Sequence, residues 1–326
     1  MSQLRAGLIG LGEMGRHHAR VLQRLDDVQL VGVCDPVAPQ ESPGCPVDRT
    51  PEDLLARGLD MCVVASPTTA HLEHGLMLAE AGVHTLVEKP ISLDHASATR
   101  LAKAFDAAGL VGAVGHIERY NPALQALRAR LATGELGEIY QVATRRQGPF
   151  PTRVLDVGVV LDLATHDIDS TAWVTKQQYT SVSARVAHRS GRRHEDLVGI
   201  VATLADGTVV NHLVNWLSPL KERMTVVSGE LGSFVADTVN ADLTFYANGA
   251  ARVECETLKS FRGVVQGDVV RYAIPKPEPL AVELSAFRDA VMGVADDVVT
   301  MHEAAEVVRV AEAVSESAAT GLTVGL

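Results

Sequence analysis

Three groups of residues have types and spacings suited to chemistry. The first is Gly10-Leu11-Gly12-Glu13-Met14-Gly15, a G-x-G-x-x-G arrangement directly after the apolar run Leu4–Ile9. Such a loop needs glycine first for a tight turn, second so that the backbone can approach a pyrophosphate, and third for close packing of helix on strand. The pyrophosphate then meets the positive end of the following helix, which Glu13 and Met14 open. About 20 residues further on, the run Val28–Asp35 ends in Asp35. A carboxylate there binds both ribose hydroxyls and repels a 2′-phosphate, and Pro36 supplies no cation in its place. The pattern predicts NAD(H) rather than NADP(H). A turn-forming Asp-Pro is the plain structural reading of Asp35 and is compatible with either role.

The second group is Val87-Glu88-Lys89-Pro90, which ends an apolar run and enters a loop. In open α/β sheets the ligand crevice lies at the carboxyl ends of the strands, so Lys89 is placed to hold a substrate hydroxyl and assist its deprotonation. Against this stands the usual fate of a lysine, a solvated surface position. The third group is Asp162-Leu163-Ala164-Thr165-His166. On a helical turn Asp162 and His166 share one face, and the aspartate orients the ring and raises its basicity. Oxidation of an alcohol by hydride transfer requires removal of the hydroxyl proton, work that suits a histidine titrating near neutrality. A capping aspartate beside a core histidine explains the same spacing. His17, His18, His71 and His74 show no metal-binding pattern, and no metal site is expected.

The elements that must position these groups are legible as runs. Leu4–Ile9, Val28–Asp35, Asp60–Ala65, Thr85–Glu88 and Leu110–Gly115 are continuously apolar, as strands covered on both faces are. Between them lie helices over Glu13–Leu25, after Thr50-Pro51-Glu52-Asp53, over Ala70–Ala81 before Gly82, and over Asp94–Ala108 before Gly109. This alternation predicts a doubly wound parallel sheet. After Asn121-Pro122 opens a helix to about Ala132, the pattern changes. Asp206-Gly207 separates Leu197–Leu204 from Thr208–Trp216, and Asn248-Gly249 separates Leu243–Tyr246 from Arg252–Glu256; both read as hairpins of an antiparallel sheet. Helices are predicted over Leu163–Val174, Leu280–Met292 and Met301–Ala319, with an extended linker at Pro275–Pro279. The expected division is an NAD-binding domain over 1–118 and a substrate-binding and oligomerisation domain over 119–326.

Bulk properties exclude several classes. With 29 basic and 40 acidic residues among 326, the net charge is −11, which disfavours a nucleic-acid partner. No apolar run is long enough for a membrane span, and the N-terminal stretch lacks the apolar core of a signal peptide. Four cysteines, none in C-x-x-C spacing, fit a reduced cytoplasmic protein.

Taken together, the loop Gly10/Gly12/Gly15 with His18, Ser66-Pro67-Thr68 with His71, Glu88-Lys89-Pro90, Asp162-x-x-x-His166 and Pro279-Leu280…Glu283…Phe287 resemble the Gfo/Idh/MocA oxidoreductase family, in the family's order and across essentially the whole chain. The resemblance implies a Rossmann domain followed by an α/β domain with a large, open, mostly antiparallel sheet, whose outer face builds a homodimer or homotetramer. It implies that Ser66, Pro67, His71 and Glu88 line the cofactor site, and that Lys89 contacts both cofactor and substrate. Asp162 and His166 become the substrate-side pair, with His166 as acid/base, and a cis peptide before Pro90 re-aims Lys89. The stretches from His116 to Pro122 (with Tyr120 and Asn121), from Gly158 to Leu163 and from Asn215 to Arg223 are similar to the branch containing UDP-N-acetylglucosamine 3-dehydrogenases, which implies oxidation of a sugar C3 hydroxyl. A diphosphate substrate would need cations: Arg145, Arg146, Arg153, Lys221 and Arg223 are candidates, Arg146 and Arg153 foremost. The competing readings are a dehydrogenase or ketoreductase of a cyclitol such as inositol or of a nucleotide-linked deoxysugar, a hydrolase or transferase using bound NAD as a redox relay, and a non-catalytic NAD-binding regulator.

Overall fold

The computed structural model describes residues 3–37, 43–151, 157–249 and 265–326. The chain divides into two compact units: Met1–Tyr120, Pro151–Thr165 and Pro277–Glu312 form the first, and Asn121–Phe150, His166–Lys276 and Ala313–Leu326 the second. The chain therefore crosses between units several times, where the sequence suggested a single crossing near residue 118.

The first unit holds a six-stranded, wholly parallel sheet. Its strands are β1 (Leu4–Ile9), β2 (Val28–Cys34), β3 (Val47–Asp48), β4 (Met61–Val64), β5 (His84–Glu88) and β6 (Gly112–Gly115), in the order β3-β2-β1-β4-β5-β6. The two-residue β3 carries no apolar run and left no trace in the sequence pattern. The helices α1 (Glu13–Leu22), α2 (Pro51–Leu55), α3 (His71–Glu80) and α4 (His95–Ala108) follow strands as the alternation requires. Their ends obey local chemistry. Thr50 accepts from Asp53 N at 3.2 Å with Pro51 in the first turn, Asp94 accepts from Ser97 N at 2.7 Å, and Gly109 ends α4 at φ 65°.

Both sheet faces are buried. One core joins Val64, Val87, Leu78, Leu101 and Phe105 with Met301 and Val308 of α8 (Met301–Thr320). The other joins Leu8, Val33, Val63 and Leu86 with Leu22 and with Leu280, Leu284 and Phe287 of α7 (Pro279–Val291). Parallel strands covered by helices on both sides account for their continuous apolar character.

The second unit is built on a nine-stranded sheet. Its strands are β7 (Ile139–Pro149), β8 (Tyr179–Ala187), β9 (Leu197–Leu204), β10 (Val209–Asn215), β11 (Leu217–Gly229), β12 (Gly232–Asp237), β13 (Asp242–Gly249), β14 (Val265–Tyr272) and β15 (Val324–Gly325), ordered β14-β13-β12-β11-β7-β10-β9-β8-β15. All pairs are antiparallel except β10 with β7. The Asp206-Gly207 turn joins β9 to β10, with Gly207 at φ 88°. The Asn248-Gly249 end of β13 leads into 250–264, so the expected partner strand Arg252–Glu256 lies outside the described residues; β13 pairs with β12 and β14.

Residues alternate across this sheet. Val142, Thr144, Val198, Ile200, Val210, His212 and Val214 are buried on the inner face, where α6 (Thr165–Thr175) packs, while Val201, Val209 and Leu213 stand exposed on the outer one. The helix expected over Leu163–Val174 begins differently: Val160–Ala164 forms a π-turn that runs straight into α6. The remaining helix, α5 (Pro122–Ala132), is capped by Asn121, whose Oδ1 accepts from Ala123 N at 3.0 Å. Among the described residues no helix is long and apolar enough to cross a membrane.

Candidate active site

The glycine loop is built as a dinucleotide site demands. Gly10 sits at φ 94°, and a Cβ there would come within 2.5 Å of Ala65 O. A Cβ on Gly15 would stand 2.0 Å from Gly10 O, so the loop and the first turn of α1 come together at that glycine. A Cβ on Gly12, by contrast, would meet nothing within 4 Å. Gly12 is the N-cap of α1 and gives the helix no side-chain cap, leaving the positive end of the helix without a capping side chain. Asp35 follows β2. Its Oδ2 accepts from Leu11 N at 2.7 Å and its Oδ1 from Val37 N at 2.8 Å, fixing the carboxylate against the loop. Open space over Gly12, an uncapped helix terminus and an anchored carboxylate are the features a bound NAD requires, and the residues present fit it.

Around the ends of β4 and β5 the polar groups are tied together. His71 is buried, and its two ring nitrogens each lie 2.9 Å from a backbone carbonyl, those of Ser66 and Pro90. Burial lowers its affinity for a proton, and the two carbonyls oppose that shift without reversing it. His71 thus braces the loop carrying Ser66 and Pro67 against the loop carrying Lys89. The Ser66 hydroxyl pairs with His74 at 3.0 Å. The Lys89–Pro90 peptide is cis.

Glu88 ends β5. His18 of α1 donates from Nε2 to its Oε1 at 2.7 Å, and Lys89 N donates to its Oε2 at 3.1 Å. Burial by itself would raise the Glu88 carboxyl, but the hydrogen bond and charge of His18 and the charge of Lys89 outweigh it and hold the group below the usual carboxylate range. Close by in α7, Glu283 is fully buried, and neither carboxyl oxygen has a hydrogen-bond partner among the described residues. Burial, with the neighbouring Glu88 charge, pushes its carboxyl well above the ordinary range. Two buried glutamates in one unit are thereby driven in opposite directions.

Lys89 is the centre of this group. Its Nζ donates to Asp162 O at 2.7 Å and to Asp162 Oδ1 at 3.0 Å, with both side chains largely shielded from water. The π-turn makes this possible: widening the helix at Val160–Ala164 turns a backbone carbonyl and the side chain of the same residue toward one ammonium. An ammonium has three N–H donors, so two are committed to Asp162 and one remains for a ligand. His166 lies four residues beyond Asp162, buried in the first turn of α6.

In the second unit, Arg146 is 3% exposed and its Nε donates to both oxygens of Asp167, at 3.1 and 3.2 Å. The pair ties the first turn of α6 to β7. Beneath the helix, His212 stands between Thr144 Oγ1 at 2.7 Å and the Tyr179 hydroxyl at 2.9 Å, and burial first, then the Arg146 charge, lower its pKa to about 3.

Three residues expected at the substrate are placed inside the fold. Arg146 holds Asp167. Tyr120 is buried, donating to Asp297 O at 3.2 Å. Asn121 caps α5 and donates from Nδ2 to Thr238 O at 3.0 Å. Arg153 lies outside the described residues. Arg145, next to Arg146, is exposed and pairs with Glu222 at 3.2 Å. Glu283 entered the sequence analysis only through a resemblance, and His18 besides only as a histidine without metal-binding spacing; nothing in their local spacing signals a shared buried site with Glu88.

The parallel sheet with its glycine loop and Asp35, and the shielded lysine at the strand end, define an oxidoreductase with an NAD-binding Rossmann domain. The chain belongs to the Gfo/Idh/MocA family: residues 4–116 match the oxidoreductase family NAD-binding Rossmann fold, and residues 124–235 match the GFO/IDH/MocA C-terminal domain. It is 31% identical over 296 residues to a UDP-N-acetylglucosamine 3-dehydrogenase of Acidithiobacillus ferrooxidans, covering 89% of this chain and 90% of that one. A solved structure of the enzyme of that name and organism matches with a TM-score of 0.82 at 27% identity, covering 97% of this chain and 98% of the other. Inositol 2-dehydrogenase 4 of Saccharopolyspora erythraea is 32% identical over 193 residues, 56% of this chain and 57% of its own. The structure of GenD2 from gentamicin A biosynthesis, in complex with NAD, matches with a TM-score of 0.83 at 26% identity over 100% of this chain and 97% of that one.

Proposed function

We propose that this oxidoreductase converts the C3 hydroxyl of a UDP-N-acetylglucosamine-like sugar nucleotide to a ketone. The observation that carries the reading is the Lys89 ammonium, held by Asp162 through two of its three donors. Bound NAD+ supplies the hydride acceptor. The glycine loop and the α1 terminus hold the pyrophosphate, Asp35 selects the ribose hydroxyls, and Ser66, Pro67 and Glu88 border the nicotinamide end. An ion-paired ammonium donates and does not accept, so Lys89 holds the substrate oxygen and stabilises the negative charge that grows on it as its proton leaves. The proton goes to the imidazole of His166, acting as the general base. The Arg146–Asp167 pair fixes the helical turn that carries His166, and Glu88 fixes the backbone amide of Lys89. Much of the acceleration then comes from orientation.

The choice of a sugar nucleotide over a free cyclitol is supported by the near full-length likeness to the UDP-N-acetylglucosamine enzyme, against likeness to inositol dehydrogenases over about half the chain. The cyclitol remains the second reading because those relatives act on it by name. Purified protein with NAD+ is expected to accumulate NADH absorbance with UDP-N-acetylglucosamine and not with myo-inositol or UDP. NADH with inositol alone would move the assignment to cyclitols.

The exposed apolar row Val201, Val209 and Leu213 on the outer sheet face supports self-association of the chain through that face. Leu213→Glu is expected to shift the mass in solution from an oligomer to the monomer; a wild-type monomer would refute the association.

A further inference from the structure

Pro36 carries no cation for an adenosine 2′-phosphate, but the fold brings one to the same place from 13 residues further along the chain. β3 pairs in parallel with β2, Val33 opposite Val47 and Cys34 opposite Asp48, and Asp35 N donates to Asp48 O at 3.0 Å. Two parallel strands run out at the same edge of the sheet, and the ligand crevice of such a fold lies at that carboxyl edge. Arg49 therefore leaves β3 beside Asp35-Pro36, where its Nη1 donates to Pro36 O at 2.7 Å. We propose that Arg49 is a binding group for an adenosine 2′-phosphate, and that the carboxylate of Asp35, not the want of a cation, keeps the site for NAD. The inference rests on the placement of Asp35 at the adenosine ribose under the proposed function and is independent of which sugar is oxidised.

The guanidinium is held but not spent. Of its five N–H donors, one goes to Pro36 O, and the others have no partner among the described residues. Asp35 does not neutralise it: the carboxylate accepts from the backbone amides Leu11 N at 2.7 Å and Val37 N at 2.8 Å and makes no ion pair among the described residues. Asp48, adjacent to Arg49 in sequence, is taken by Arg57, whose Nε and Nη2 donate to its two oxygens at 2.6 and 2.8 Å. Two arginines thus stand near the end of β3 in different states. Arg57 is committed to a carboxylate, whereas Arg49 is exposed and tethered to a neutral carbonyl, which orients the side chain without cancelling its charge.

Charge then decides between the two forms of the cofactor. A carboxylate at Asp35 accepts from ribose hydroxyls but sets a like charge against a phosphate, and like charges so placed exclude the wrong partner. The guanidinium does the reverse. Its planar fork can meet two phosphate oxygens with parallel N–H bonds, a geometry that a lysine does not reproduce. Removing the Asp35 charge therefore exposes a phosphate site that is already built, with no second cation to be added.

The test is fluorescence titration of NADH and NADPH, without sugar, into the wild type, Asp35→Ser, and Asp35→Ser combined with Arg49→Ala or Arg49→Lys. Asp35→Ser is expected to weaken NADH and strengthen NADPH, moving the ratio of affinities toward NADPH about 10- to 100-fold, the range for a charge-assisted pair of bonds. Adding Arg49→Ala should cancel most of that gain, and Arg49→Lys should keep part of it. NADPH affinity should also fall more steeply with salt in Asp35→Ser than in its Arg49→Ala derivative, a difference that a purely structural tether to Pro36 would not produce. If Asp35→Ser binds neither nucleotide, Asp35→Asn, which removes the charge and keeps an oxygen for one backbone amide, carries the same comparison. A gain that survives Arg49→Ala, or no gain in a folded Asp35 variant that still binds NADH less tightly than the wild type, overturns the inference and leaves Asp35 at the ribose. NADH bound equally by the wild type and Asp35→Ser would remove Asp35 from the ribose, and the inference would fall with that assignment.

Discussion

The glycine loop and the inner face of the nine-stranded sheet both prepare a site, by opposite means. The loop works by what is missing: a Cβ at Gly15 would stand 2.0 Å from Gly10 O, whereas one at Gly12 would meet nothing, so absent side chains make one contact close and leave another place open. The sheet face works by what is committed. Arg146 is spent on Asp167, and His212 on Thr144 and Tyr179. Backbone sites are local and survive in sequence as spacing. Side-chain sites depend on which strand face a residue occupies, and one step along a strand reverses it.

Lys89 and His166 carry the proposed proton chemistry. Lys89→Met and His166→Asn should each lower kcat about 10²- to 10⁴-fold, the usual worth of a positioned proton-transfer group, with NADH affinity unchanged by fluorescence titration. A variant retaining near-full kcat would remove its residue from the mechanism. Next in size, Arg146→Met should destabilise the fold by about 3–5 kcal/mol, because it leaves Asp167 buried without its partner. Arg145→Ala, one residue away and exposed, should cost less than about 0.5 kcal/mol. Denaturant midpoints that fail to separate these neighbours would break the contrast drawn from strand register.

Gly15→Ala should cost about 1–3 kcal/mol from overpacking against the loop and weaken NADH binding, whereas Gly12→Ala should leave stability nearly unchanged while still weakening NADH. Equal stability losses at both positions would contradict the open space over Gly12. The smallest effect concerns pH. The Glu283 carboxyl is raised in the folded state, so its favourable contribution is complete below the unfolded carboxyl pKa of about 4.3 and is lost as pH rises through the folded value. Glu88 is depressed, so its contribution is present above about 4.3 and is lost as pH falls through its lower folded value. Glu283→Gln should therefore gain Tm relative to wild type as pH rises from weakly acid to alkaline. Parallel melting curves for the two proteins would show that the Glu283 carboxyl is not raised in the folded state.

Much of the first unit was legible because its signals are local. The strands are continuous apolar runs, Thr50 and Asp94 cap the helices they precede, and Lys89 follows directly from the carboxyl end of β5. β3 was too short to carry a pattern. In the second unit the Asp206-Gly207 hairpin was readable, but the parallel pairing of β10 with β7 was not, since no turn encodes it. The sequence placed Asp162 and His166 on one helical turn. It held no sign of the π-turn that directs both a carbonyl and the carboxylate of Asp162 to Lys89. Tyr120 and Asn121 sit where the chain leaves one unit for the other, and each hydrogen-bonds within its own unit.

The most direct test of the account is transfer of a label. Enzyme, NAD+ and UDP-N-acetylglucosamine deuterated at C3 are incubated, and the reduced nicotinamide is analysed by mass spectrometry. The account predicts NADH carrying one deuterium together with a 3-keto sugar nucleotide. Unlabelled NADH, or label retained at C3 with no reduced cofactor formed, would contradict it.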